Sequence, residues 1–469
     1  MNTRDAAGLA ISGAGAEGLA AYEKAAGELR CLIGDPVTTV QAAIEASPAM
    51  PMAHALHAWL HLLGTEPAGL PVARASLQAA TALPADDRER GHLRAIGLLL
   101  EGRWRESAQV LEDVSAAWPR DLLALQVGHQ LDFFTGDSRM LRDRIARALP
   151  AWSASMPGYH AMLGMHAFGL EECGDYARAE DAGRRCVELE RRDGWGWHAV
   201  AHVMEMQNRS ADGVAWLSAD RDAWARESFL AVHNWWHLAL FLLERGDVDE
   251  VLRLCDGPIG GTGSPVVLEM IDVSALLWRL SLRGVDVGSR WDDIADNWAT
   301  VAGAGNYAFN QFHAMMAFVG SGRRDAQRAV IDSLRTAASG SADPAAFARE
   351  VGLDAALAMQ AFGDGRYAET VRLLRPLRSH SHRFGGSHAQ RDVIDLTLIE
   401  AAKRAQQEAL ASALAAERLA RRGAGQPGWR PALAAAPAHA EALAGQQDQE
   451  SPAPVVTRAR PTGACGSAA

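Results

Sequence analysis

A short turn of small or polar residues recurs along this chain after each apolar helical stretch, and its spacing constrains the fold more than any other feature. It falls at Gly64, Gly102, Gly136, Gly174, Asn208, Gly246, Gly284, Gly322 and Gly365, at intervals of 38, 34, 38, 34, 38, 38, 38 and 43 residues. Two antiparallel helices and their links need a period of that size, and such pairs stack into a solenoid whose length is not limited by core volume. Nine turns predict about nine helix pairs. The units share a plan: an aromatic follows the turn at Trp104, Tyr176 and Tyr367, and an apolar stripe such as Val110, Leu111 and Val114 runs behind it. Val-Ile-Thr runs of period two are absent, which argues against an α/β fold. The expected fold is all-α, a tetratricopeptide-like α-solenoid wound as a right-handed superhelix and curved enough to close around a central cavity.

Composition narrows the function classes. The chain has 469 residues and a formal charge of −11, which disfavours a nucleic-acid surface, since that needs clustered cations. No apolar run approaches the roughly 20 residues that cross a bilayer, and the N-terminal stretch, broken by Gly, Ser and Glu, lacks the layout of a secretory signal. The five cysteines, Cys31, Cys173, Cys186, Cys255 and Cys465, are isolated and form no C-x-x-C, so reduced thiols in a cytoplasmic protein are expected. Residues 1–421 read as one repeat domain. From Arg422 to Ala469 the text turns to Pro, Ala and Gln without apolar periodicity, and a disordered tail is expected. The charged run Asp86-Asp87-Arg88-Glu89-Arg90 reads as solvated helix surface. Gly257 to Pro265 is too rich in glycine for a helix.

The histidines carry the functional signal. His129, His160, His166, His198, His202, His233, His237 and His313 all precede a turn, on the first helix of a pair. In such solenoids first helices line the concave face, so these residues are expected to converge on one groove. His198 with His202 and His233 with His237 stand four residues apart and share helix faces. The two pairs suit one transition metal ion, with Glu205 or Asp247 in reserve. Alternatively, His160, His198, His233 and His313 are candidate acid–base catalysts, with Trp195, Trp197, Trp235 and Trp236 walling the groove. His166, Glu205, Asn234, Asn310, His388, Arg391 and Asp392 complete the candidate ligand contacts. Ser387 is placed to cap a helix and Arg391 to clamp an anion. The packing alternative has the same histidines bonding neighbouring carbonyls, Glu205, Asn234 or Asp247.

Read together, HAVAHVMEMQ, HNWWHLALF, GSHAQRD, HAMLGMHAFGLEECGDYARAE and NYAFNQFHAMMAFVGSGR make the chain resemble the tetratricopeptide repeat protein 38 family, also described as StaR-like, over about residues 5 to 421. The resemblance implies a tetratricopeptide-like helical fold and brings no established activity. The leading expectation is a cytoplasmic repeat protein whose His- and Trp-rich groove takes a small molecule or a peptide, with neither nucleic acid nor membrane as partner. The alternatives are an enzyme using the groove histidines, with or without a transition metal, and a structural homo-oligomer. An enzyme should show a narrow pocket with several histidines within hydrogen-bond reach of one another.

Overall fold

The computed structural model describes residues 3–422, and its fold is all-α, a solenoid of helix pairs. Among the described residues there are eleven pairs rather than nine. All nine turns read from sequence separate two helices. The additional pairs sit at either end, Ala16–Cys31 with Pro36–Ala46 and His388–Arg404 with Glu408–Arg422. Arg422, the first residue of the predicted tail, ends the last of these helices and is buried; residues 423–469 lie outside the described residues.

The turns recur because each first helix ends in the same hydrogen-bonded device. At Gly174 the backbone N–H bonds Glu171 O at 2.8 Å and the N–H of Asp175 bonds Leu170 O at 2.9 Å. This crossed pair needs a left-handed residue between its two bonds, which glycine adopts without steric cost. Gly174 has φ 81°, and Gly102, Gly136, Gly246, Gly284, Gly322 and Gly365 share that conformation. Asn208 takes the same role at φ 56°. Gly64 does not: it is right-handed, and Thr65 holds the left-handed position. The two unforeseen pairs turn at Leu32 and Gln406, at φ 57° and 59°, side chains that give no sequence signal of such a turn.

First and second helices differ in how they are buried. In Tyr159–Glu172 every residue from Gly164 to Glu172 is buried. Its partner Tyr176–Leu189 buries only Ala179, Gly183 and Cys186, and Arg324–Ala338 buries Gln327, Val330, Ile331 and Leu334, a single stripe at helical spacing. The first helices are therefore the inner layer, wrapped by amphipathic second helices.

The array also closes on itself. Phe229 N donates to Leu32 O at 3.0 Å, Tyr307 Oη to Phe134 O at 3.0 Å, Asn310 Nδ2 to Thr65 Oγ1 at 3.0 Å, and His388 N to Glu172 Oε1 at 2.8 Å. Packing against the next repeat and the N-terminal segment corrects the reading of the charged run at residues 86–90. Arg88 and Glu89 are buried; Arg88 pairs with Asp121 at 2.8 Å, and Glu89 accepts the Ser12 N–H at 2.9 Å and closes a capping box with Asp86. A charged run shows its sign in sequence but not the second surface that covers it. The Gly257–Pro265 loop likewise begins inside a π-helical turn, Cys255–Ile259, with Gly257 outside helical geometry.

Gly174 offers a clean test of the turn, because a Cβ there would meet nothing within 4 Å. Gly174→Ala should cost about 1 kcal/mol from backbone strain alone, and Gln406→Gly should stabilise by a similar or smaller amount. Urea unfolding midpoints of both variants check this; equal midpoints would remove the left-handed turn as the organising device.

Candidate functional site

Helix Gly194–Met206 begins under Asp193, whose carboxylate accepts the Trp195 and Gly196 N–H groups at 3.0 Å. Gly196 has no side chain because a Cβ would stand 2.7 Å from Cys186 Sγ. The close approach fixes the helix so that His198 and His202 face the next inner helix, Ala231–Arg245, which presents His233 and His237 at the same spacing. The four imidazoles form one cluster. Ring centroids are 4.4 Å apart for His198 and His202, 4.6 Å for His202 and His237, 4.9 Å for His198 and His233 and for His233 and His237, and 5.1 Å for His198 and His237.

Carboxylates bond two of the rings and set their tautomers, and the Glu171 carboxyl lies near a third. His233 Nδ1 lies 2.9 Å from both oxygens of Asp272, His237 Nδ1 lies 3.2 Å from Glu205 Oε2, and His202 Nδ1 lies 3.5 Å from Glu171 Oε2. A ring that turns Nδ1–H toward a carboxylate leaves its Nε2 lone pair facing the other way. The Nε2 atoms of His198 and His233 are 3.1 Å apart, while His202 Nε2 and His237 Nε2 are buried without a hydrogen-bond partner. Burial, followed by mutual repulsion, holds His198 and His237 well below the usual imidazole range, and burial brings His202 down to about 4. These three rings are neutral near pH 7. The His198–His233 contact is a hydrogen bond in which one Nε2 donates and the other accepts, while the partnerless Nε2 atoms of His202 and His237 cost about 1–3 kcal/mol each.

This arrangement has the chemistry of a metal-binding set. One ring nitrogen of each of the four histidines lies within 4.8 Å of those of the others. Two nitrogens bound to a tetrahedral ion at 2.0–2.1 Å stand about 3.3 Å apart, close to the His198–His233 separation. Glu171 adds a buried carboxyl whose two oxygens have no hydrogen-bond partner, and burial with the neighbouring Glu172 charge pushes it well above the usual carboxylate range.

The cluster floors a cavity of about 90 Å³, measured as space open to the centre of a water molecule, several times the roughly 10–15 Å³ one water needs on that measure. His198, His202, His233 and Asp272 line it, under walls of Phe133, Phe134, Phe168, Trp195, Tyr307 and Phe309. Asn310 borders it, and Phe229 and Leu268, exposed by 44% and 46%, stand at its mouth.

Only some expected site residues meet here. His160 bonds Asp193 at 2.7 Å in a separate group with Cys186, His129 donates to Met165 O at 3.1 Å, and His313 donates to Phe309 O at 2.9 Å. His166 lies outside the cavity wall, its Nε2 buried without a partner. Convergence of all eight histidines on one groove is therefore corrected: an inner helix is buried all round, so its histidines also face outer helices and loops. Trp197 packs on Trp216 and Trp235 on Trp224, away from the cluster; Trp236 stacks on His233 at 5.3 Å. Asn234 anchors on Gly194 O, and Asp247 pairs with Arg245 outside the site. Ser387 does cap its helix. Arg391 is engaged with Gly386 O, with Glu172 3.5 Å away, so its fork is not open to an anion; His388 also pairs with Glu172, and Asp392 with Arg418 and Arg422. Asp272, Glu171 and the phenylalanines were missed. Asp272 had a signal, an acid set among apolar residues one turn after Glu269 in the helix Val267–Leu282, since a buried charge needs a partner.

Two histidines outside the cluster give a pH test. Burial brings His129 and His313 down to about 3, so in the folded chain they stay neutral while the unfolded chain titrates near 6.5. Their stabilisation is whole above about pH 6.5 and is lost as pH falls towards 3, because the unfolded state then binds protons that the folded state refuses. His129→Phe and His313→Phe should each flatten the fall in urea midpoint between pH 7 and 5; unchanged slopes would contradict the neutral buried rings.

No family model matches the chain. Among solved structures it is similar to the P58(IPK) TPR domain, at 14% identity over 84% of this chain and 99% of that one, with a TM-score of 0.21. So loose a superposition supports no argument about the site, and the solenoid rests on the chain's own helix pairs. Among the described residues no helix is long and apolar enough to cross a membrane.

Proposed function

We propose that this chain binds one transition metal ion through His198, His202, His233 and His237, and presents it at the floor of the aromatic cavity to a small molecule. One observation carries the reading: four imidazoles from two adjacent inner helices bring one ring nitrogen each within 4.8 Å of the others, with Asp272 bonded behind His233 and Glu205 behind His237. Carboxylates placed this way orient imidazole ligands and raise their basicity. Four nitrogen donors suit zinc, copper, nickel or iron rather than magnesium or calcium. The enclosed, phenylalanine-walled space favours a small molecule over the peptide that an open groove would take. The cavity opens onto the His198, His202 and His233 rings, so an enzyme built on this site is the second reading. Cytoplasmic residence and kinship with the tetratricopeptide repeat protein 38 family belong to the same proposal. They rest on the isolated cysteines and on the histidine motifs.

Elemental analysis of the purified protein tests the metal. About one equivalent of a transition metal is expected, lost in His198→Ala and in His237→Ala with the helical circular dichroism signal retained. Asp272→Asn should weaken the metal affinity by about 10- to 100-fold. Protein purified and reloaded with zinc, copper, nickel or iron salts that still holds no ion would overturn the reading.

A further inference from the structure

The cavity above the histidines is selective in what it leaves unpaired, and that selectivity defines a ligand class. Its walls are aromatic, and among the described residues lining it there is neither Lys nor Arg; Glu269 and Asp272 are the charged side chains present. Apart from the metal proposed at its floor, the cavity offers no cation to a carboxylate or phosphate, which would be desolvated against apolar rings and would meet two carboxylates. Asn310 faces the same space and is 92% buried, as its exposure of 8% implies. Its Nδ2 is spent on Thr65 Oγ1 at 3.0 Å, while its Oδ1 has no partner. A buried amide oxygen left bare is an acceptor waiting for a donor. The rings of Phe168 and Trp195 stand 5.0 Å apart and tilted at 57°, a corner suited to the edge or face of another aromatic ring.

We infer that the cavity takes a compact aromatic molecule bearing a hydroxyl or amine donor and no anionic group, the donor bonding Asn310 Oδ1 and the ring lying against Phe168 and Trp195. The inference rests on the reading of the cavity as a small-molecule site. It does not rest on the metal, because neither Asn310 nor the two rings supplies a metal ligand, although Phe168 and Trp195 pack on His198 at 5.4 and 4.6 Å.

Three single-ring probes separate the possibilities: benzyl alcohol, benzylamine and benzoate. They are titrated calorimetrically into the protein as purified with its metal, and again after removal of metal with a chelator. Benzyl alcohol and benzylamine should bind in both forms, and in the chelated form benzoate should bind at least about ten-fold more weakly than benzylamine. Asn310→Leu should weaken benzyl alcohol and benzylamine by about 3- to 10-fold, the worth of one hydrogen bond. Phe229→Arg, at an exposed position on the mouth, places a cation where there is none and should raise benzoate affinity several-fold without disturbing the core. Benzoate binding as tightly as benzylamine to the chelated protein, or none of the three probes binding, would overturn the inference. Probe binding by a protein that holds no metal would leave it standing and sink the metal instead.

Discussion

Every inner helix in this molecule is stopped by a residue held in the left-handed conformation, and the rest of the architecture depends on that stop. It crosses the last two backbone bonds, satisfies carbonyls that the helix end would leave open, and sends the chain back along an outer helix. Where the stop recurs every 34 to 38 residues, inner helices fall side by side. Within that frame the histidines of Gly194–Met206 and Ala231–Arg245 face each other, although His198 lies 10 residues before Asn208 and His233 13 before Gly246. The stops set the helices side by side, and the packing between them brings His198 Nε2 to 3.1 Å from His233 Nε2.

The cluster is also where the molecule departs from ordinary core chemistry. Three buried imidazoles and the half-buried His233 gather with three buried carboxylic side chains and the buried Arg279 in one part of the inner layer. Burial, with the charges of Arg422 and Arg418, drives Arg279 down to about 10, although Asp392 and Glu205 pull the other way. Apolar side chains of equal volume would fill the same space without that desolvation cost. The chain keeps the polar set together and surrounds it with phenylalanine and tryptophan, which lowers the local dielectric and strengthens each interaction within it.

Much of this was legible in the sequence, for identifiable reasons. Turns built on Gly or Asn declare themselves, because few other residues adopt positive φ; those built on Leu32 and Gln406 do not. The histidine pairs were legible because spacing by four places two side chains on one helix face whatever surrounds it. The destinations of His160 and His313 were not, since a helix enclosed on every side offers its residues several environments and the text does not rank them. Arg88, Glu89 and Thr65 escaped for a further reason. Their partners come from other parts of the array: Asp121 from the next repeat, 33 positions on, Ser12 from 77 positions back, and Asn310 from 245 positions on. Pattern along a chain reports local geometry and is silent on which distant repeats will meet.

Closure also orders events in time. Glu205, which stands behind His237, is reached on its other oxygen by Arg422 at 3.2 Å across 217 positions of sequence, and Arg422 also lies 3.0 Å from Asp392. During synthesis from the N-terminus, the helices bearing the four histidines emerge long before helix Glu408–Arg422. Until that helix docks, Glu205 lacks its guanidinium neighbour and the cluster is open on that side. The histidine centre thus acquires its full set of charges only at the end of assembly, so its completion reports that the solenoid has closed.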